Sequence, residues 1–338
     1  MEKVLSYRQM VWRQFRASWL NRLGLCIVIL LALMALSAPF LANGRPLLLR
    51  HEGSTYLPAL QNLWPFSYLK LYPQIDDDTW QTMMEETGWA YFAPVPYSPG
   101  DYDLDASLLP PNSAHWLGTD EQGRDILSRM IHGSQISLSV GFVAVSIYTL
   151  IGVFFGALAG YFGGKMDWIL SRVIEVMICF PTFFLVITII TLVGGSIYNI
   201  MIVIGLTGWT GIARLIRGEF LKLRHQDFIV ACRAQGMGVF RIMRKHLLPN
   251  ALAPVFVSAT FGVASAILVE SSLSFIGFGV QPPTPSWGDI LSQASDFIDI
   301  AWWLTLFPGI AIFLTITAFN LVGEGLRDAI DPKLKSVE

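Results

Sequence analysis

Apolar residues along this chain gather into long runs rather than alternating with polar ones. The runs span approximately Leu23 to Ala42, Leu138 to Tyr161, Val173 to Val193, Ile200 to Leu215, Ala251 to Ser271 and Ala301 to Val322. A hydrocarbon layer about 30 Å thick takes about 20 mostly apolar residues in helical form, because lipid offers no partner to an exposed backbone amide. The pattern therefore predicts an all-α integral membrane protein with one transmembrane helix per run. The fourth run is the shortest and carries Gly205, Thr207 and Gly208, so it is expected to pack against neighbouring helices more than against lipid. Arg13, Arg16 and Arg22 precede the first run as they would a secretion signal, but a signal core is about 7 to 15 residues. The run is longer and is expected to stay as an anchor.

Lysine and arginine resist translocation and mark the cytoplasmic side. Lys3, Arg8, Arg13, Arg16 and Arg22 precede the first run, Lys165 and Arg172 lie between the second and third, and Arg327, Lys333 and Lys335 follow the last. Residues 214–250 are rich in both types, whereas residues 194–199 and 276–300 contain neither, and the latter carry Asp289, Asp296 and Asp299. The expected organisation is a cytoplasmic segment 1–22, a first helix 23–42, an extracytoplasmic insert 43–137, a five-helix core 138–323 with an inner loop 214–250, and a cytoplasmic tail 324–338. The insert holds Trp64, Trp80, Trp89 and Trp116 and turn-forming stretches at Ala93-Pro94-Val95-Pro96 and Leu109-Pro110-Pro111-Asn112, which predicts a small cap over the outer face. Trp287, Trp302 and Trp303 read as an outer aromatic belt.

Composition narrows the chemistry. The chain is 53% hydrophobic and 14% charged, against about 25% charged in ordinary soluble domains. A formal net charge of -2 supplies none of the basic surplus that nucleic acid binding requires. Cys26, Cys179 and Cys232 form no metal or disulfide spacing, and His51, His115, His132, His225 and His246 are scattered singly, so no metal or cofactor is expected on this chain. Gly163-Gly164-Lys165 is followed by Met166 and is not a phosphate-cradling loop. Any energy from ATP must enter through another chain. Glu175 lies one helical turn after Arg172 and is expected to pair with it. Glu270, near the outer end of the fifth run, is a candidate pathway or gating residue, because an ionisable group at that depth is costly. Pro181 and Pro308 are candidate kinks whose freed carbonyls could line a cavity.

Residues 227–250 read DFIVACRAQGMGVFRIMRKHLLPN. Ala231, Cys232, Ala234 and Gly236 form a small-residue patch suited to close approach by a partner, with Arg233, Arg241, Arg244 and Lys245 around it. Pro249 is placed to start the fifth helix. The segment resembles the EAA loop of ABC importer permeases, with Ala231, Gly236 and Leu248-Pro249 on the pattern, Val230 in place of the usual glutamate and Cys232 in place of the second alanine. His115-Trp116-Leu117-Gly118-Thr119-Asp120-Glu121-Gln122-Gly123-Arg124-Asp125, with Ser128-Arg129 and Gly133, is similar to a stretch of the C-type subunit of dipeptide and oligopeptide permeases. So are residues 272–279, Ser286-Trp287-Gly288 and residues 325–332. The insert at residues 43–50 further resembles the branch linked to microcin C-type peptide uptake.

The resemblance implies a type I ABC importer fold in the bacterial inner membrane, with both termini cytoplasmic. It implies half of a translocation path, completed by a second permease as a heterodimer, with one or two ABC ATPase subunits that bind ATP and Mg and an extracytoplasmic binding protein that delivers the peptide. Ala231, Cys232, Arg233, Ala234, Gly236, Leu248 and Pro249 would dock the ATPase. A permease for nickel or another small solute, a self-sufficient secondary transporter and a membrane enzyme are the competing readings. On the docking reading, Gly236→Trp is expected to leave the protein in the membrane and abolish ATP-driven uptake. Wild-type uptake with unchanged ATPase association would refute it.

Overall fold

The computed structural model describes residues 7–51, 54–60, 82, 89–281 and 283–330. Lys3, Trp64, Trp80, Lys333 and Lys335 lie outside the described residues, as do Asp331 and Pro332. Helices α1 (Tyr7–Ala17) and α2 (Trp19–Leu41) lead to strands β1 (Leu48–His51), β2 (Ser54–Tyr56) and β3 (Trp89–Tyr91). Then follow α3 (Ile126–Phe162), α4 (Gly164–Cys179), α5 (Thr182–Val193), α6 (Ile197–Leu223), α7 (Asp227–Ala234), α8 (Val239–Phe275), α9 (Trp287–Phe297) and α10 (Trp303–Ile330).

Among the described residues, α2, α3, α6, α8 and α10 are each long and apolar enough to cross a bilayer, and α4 with α5 reaches that length and apolarity only as a pair, bent by 83° as a broken span or a re-entrant loop. The bend falls at Phe180-Pro181, where Pro181 stands as the N-cap of α5 with extended backbone. Proline cannot donate the amide that would continue α4, so the third run is two helices and not one.

Helix ends differ most from expectation where polar residues extend a helix. Helix α3 begins twelve residues before its apolar run because Ser128, Arg129 and Ser134 are buried there by hydrogen bonds rather than by apolarity. Helix α6 continues to Leu223, so Arg214, Arg217 and Lys222 ride on a helix and not a loop. Pro249 stands in the first turn of the α-helix Leu248–Phe275, as expected of a proline at a helix start, but the helix does not begin from a loop: a π-helical turn, Met243–Leu247, precedes it and makes Val239–Phe275 one long helix.

The chain divides into two compact units. One comprises residues 1–29, 139–273 and 313–338. Its core is a contact of α3 with α6 made through glycines at four-residue spacing. A methyl group placed at Gly152 would stand 2.7 Å from the Trp209 carbonyl oxygen, one at Gly156 2.5 Å from that of Ala213, and one at Gly160 2.8 Å from that of Arg217. Lipid supplies no hydrophobic drive between helices, so association rests on such close backbone approach. Gly205 answers from α6, against Ile147 of α3. In the same unit Gly24 of α2 meets Leu321 of α10, and Gly325 of α10 meets Asn21 and Phe15.

The other unit comprises residues 30–138 and 274–312. The antiparallel sheet has the order β2-β1-β3, with Leu49 facing Tyr56 on one side and Ala90 on the other. Ala38, Ala42, Val95 and Ile131 make an apolar cluster, and the expected turn at 93–96 is tied to the end of α2 by backbone bonds from Asn43 to Val95 and from Val95 to Leu41, each 3.0 Å. Trp287 and Trp303 are not belt residues. Both are buried, and their indole N–H groups donate to the carbonyls of Met130 at 3.0 Å and Thr119 at 2.9 Å. Trp302 alone of the three is exposed.

Gly156→Leu should lower stability by about 1–3 kcal/mol through overpacking, read as a fall in melting temperature of the solubilised protein. Gly218→Ala, with nothing within 4 Å of the added methyl, should be neutral or mildly stabilising, because alanine is the better helix former.

Candidate functional site: an exposed helix, an apolar cleft and a buried ion network

Helix α7 is eight residues long and stands between the ends of α6 and α8. Its buried side chains are Ile229 and Cys232, while Phe228, Val230, Ala231, Arg233 and Ala234 are exposed. Of the predicted docking residues, Cys232 is thus an inward anchor and the rest of the small patch is presented outward. Leu248 is half-buried and Pro249 exposed on α8.

Gly236 closes α7. Its φ is +73°, its N–H donates to the Arg233 carbonyl at 2.9 Å, and the Met237 N–H reaches back to that of Cys232 at 3.1 Å. This is a Schellman cap, and the left-handed residue in it favours glycine. Gly236 therefore shapes the helix end as well as exposing a small surface, and any side chain there strains α7 itself. Ala234 is the cleaner position for probing a partner's groove.

The base of α7 is tied to its neighbours by arginines. Arg224 donates to the carbonyls of Gly160 at 3.2 Å and Tyr161 at 3.3 Å, at the end of α3, where cationic groups offset the helix dipole. Arg233 lies 5.6 Å over the Tyr161 ring. Arg217 of α6 forms a two-point pair with Asp167 of α4, through Nε to Oδ1 and through a terminal nitrogen to Oδ2 at 2.9 Å. Charge-assisted bonds thus tie the end of α6 to α3 and α4, and α7 itself reaches α3 through Arg233 and Tyr161.

In the same unit a cleft of about 340 Å³ is lined by Tyr148, Thr182, Thr207, Ser258, Phe261 and Ser265 among others. Its lining is apolar or hydroxylated and contains no charged side chain. Thr182 follows Pro181, so the break between α4 and α5 lies at this cleft. Glu270 is fully buried and its carboxylate accepts from the Ser271 hydroxyl at 3.4 Å, but it is not among the lining residues. Pro308 lies inside the continuous helix α10. Arg172 and Glu175 form the expected pair at 2.6 Å, with both side chains exposed.

The motif around Asp120 builds a different structure. The Asp120 carboxylate accepts from the backbone N–H of Gln122 at 2.9 Å and of Arg124 at 3.0 Å, from Arg124 Nε at 2.7 Å, and from the Arg129 guanidinium. Arg129 also donates to Asp289 of α9 at 2.5 Å. Asp120 and Arg129 are almost wholly buried. Burial pushes the Asp289 carboxyl above its ordinary range, while Arg129 pulls it back. Asp125 receives the Ser128 N–H at 2.7 Å and pairs with His115 at 2.9 Å, so His115 is not isolated. The motif is legible in the sequence; its partner is not. Asp289 lies 160 residues from Arg129, and nothing in either local pattern joins them.

Apolar helices of spanning length, packed glycine to backbone, define a multi-pass membrane protein. Residues 152–336 match the family described as binding-protein-dependent transport system inner membrane component, and residues 6–65 match the N-terminal transmembrane domain of oligopeptide transport permease C. The chain belongs to this family of ABC transporter permeases. It is 43% identical to the dipeptide transport system permease protein DppC of Alkalihalophilus pseudofirmus, over 73% of this chain and 82% of that one. It is 36% identical to DppC of Bacillus subtilis, over 98% and 87%. To the inner membrane ABC transporter permease protein YejE of Escherichia coli it is 34% identical, over 98% and 99%.

Replacing Arg129 leaves two buried carboxylates without their shared cation. Arg129→Gln should cost about 3–5 kcal/mol, measured as lost thermal stability. Asp289→Asn, which keeps the Arg129–Asp120 pair, should cost less.

Proposed function

We propose that this chain is the C-type permease of an ATP-driven peptide importer. Similarity to a dipeptide permease over nearly the whole chain carries the reading. The nickel or other small-solute reading is not favoured, since relatives similar across most of the chain are named for dipeptides. A second permease completes the path as a heterodimer, one or two ATPases bind ATP and Mg, and an external binding protein delivers peptide to the outer side. The inner membrane, with both termini cytoplasmic, suits the placement of Arg13, Arg16, Arg22, Arg224, Arg233, Arg241 and Arg244, because arginine resists translocation.

In this reading α7 seats in the ATPase. Its presented face combines Phe228, Val230, Ala231 and Ala234 with Arg233, which suits an apolar groove rimmed by acidic groups. Closure of the ATPases pushes α7, and the Arg217–Asp167 and Arg224 contacts carry the push to the helices that line the cleft. An uncharged, hydroxyl-bearing lining suits a peptide, whose backbone needs hydrogen bonds while its side chains vary.

Copurification from the native membrane should recover a second permease and at least one ATPase. Ala234→Trp should leave membrane insertion intact and reduce ATP-driven dipeptide uptake at least about tenfold, as expected when about 1.4 kcal/mol or more of interface energy is lost. Normal uptake with normal ATPase association would refute the docking role. Glu270→Gln tests the gating role of that residue: unchanged uptake across a broad pH range would exclude it.

A further inference from the structure

Helix α1 carries no acidic residue and holds Arg13 and Arg16 on its exposed side. Trp12 stacks on Phe15 with ring centroids 5.7 Å apart, and the Arg16 guanidinium sits 4.3 Å from the Trp12 centroid. Phe15 is buried, and its carbonyl accepts from the Asn21 side chain at 3.1 Å, which fixes α1 against the start of α2.

Two clefts share Trp12. One, of about 410 Å³, runs between α1, α8 and α10 and is lined by Trp12, Phe15, Ala253, Phe256, Leu326 and Ile330 among others, with no charged side chain. That volume falls within the range of small-ligand sites. The other is lined by Gln9, Trp12, Arg13, Arg16 and Ala17. An apolar groove that shares Trp12 with a doubly cationic cleft is complementary to an amphiphile with an anionic head.

The surroundings select the amphiphile. The groove lies where the apolar part of α8 begins and α10 ends, both long enough to span a membrane, and Trp12 and Trp19 are exposed at the N-terminal end of the chain's first span. Tryptophan is favoured at the headgroup level, and a basic helix with an apolar face lies in the membrane surface. We propose that this groove binds an anionic glycerophospholipid, with an acyl chain between α1, α8 and α10 and the phosphate against Arg13 and Arg16. The Arg16–Trp12 contact holds one cation in place before the lipid arrives, and the bound lipid joins α1 to the two helices that flank the groove.

The full-length chain, purified with its partner subunits and delipidated, would be titrated with phosphatidylglycerol or phosphatidylcholine of matched chain length, with binding read by native mass spectrometry. Wild-type protein should prefer phosphatidylglycerol by more than about tenfold, since each arginine near an anionic lipid contributes about fivefold. R13Q/R16Q should bind the two lipids equally, R13K/R16K should keep the preference, and Ala253→Trp should weaken both lipids by filling the groove. Equal binding of the two lipids by wild type, an undiminished preference in R13Q/R16Q, or a groove covered by a partner subunit in the assembled complex would overturn the proposal.

Discussion

Hydrocarbon has no hydrogen-bonding capacity, and every other feature of this chain follows from that constraint. Backbone amides at bilayer depth must pair within their own segment, so the spans are helices. Once helical, they gain little from burying leucine against leucine, because lipid is equally apolar. What remains is shape. Gly152, Gly156 and Gly160 make a ridge without side chains along α3, and α6 settles onto it at backbone distance. Helices in such contact move together, which is what a path opened from one end requires.

Charge is placed where water or a partner can answer it. At the α7 end, Arg217, Arg224 and Arg233 are paired with a carboxylate, helix-end carbonyls and an aromatic ring, the first two joining α6 to α4 and α3 and the last joining α7 to α3. In the second unit, Arg129 joins the loop at Asp120 to α9 through Asp289. A buried ion pair contributes little net stability against an apolar substitute, but removing one partner leaves a bare buried charge, which is costly. The cleft in the first unit, by contrast, carries only hydroxyls and apolar groups.

Much of this was legible in the linear order of residues. Hydropathy located the five spanning helices among the described residues and the bent pair α4–α5, because lipid selects on composition over about 20 residues and that average survives local irregularity. The same averaging hid the polar start of α3 and the basic end of α6, where the helix is held by Ser128, Arg129 and Arg217 rather than by apolarity. The glycine ridge was visible as a four-residue spacing and still passed unread, because spacing alone does not say which helix receives it. Trp287 and Trp303 were misread for a related reason: an interfacial tryptophan and a buried one with its N–H bonded to a carbonyl look alike in sequence.

The chain order by itself determined that this is a helical membrane protein, where its helices run, and that its small-residue segment stands between two of them. Those properties depend on local composition and on backbone chemistry within a few turns. Tertiary structure alone decided that Cys232 points inward while Ala234 points outward, that Gly236 serves as a left-handed cap, and that Asp289 completes the pair begun at Asp120 and Arg129. It also decided that Arg16 stands over Trp12 at the mouth of an apolar groove. Each of these is a matter of which way a side chain faces or which distant residue meets it, and the energy that settles it comes from contacts that exist only once the helices have packed.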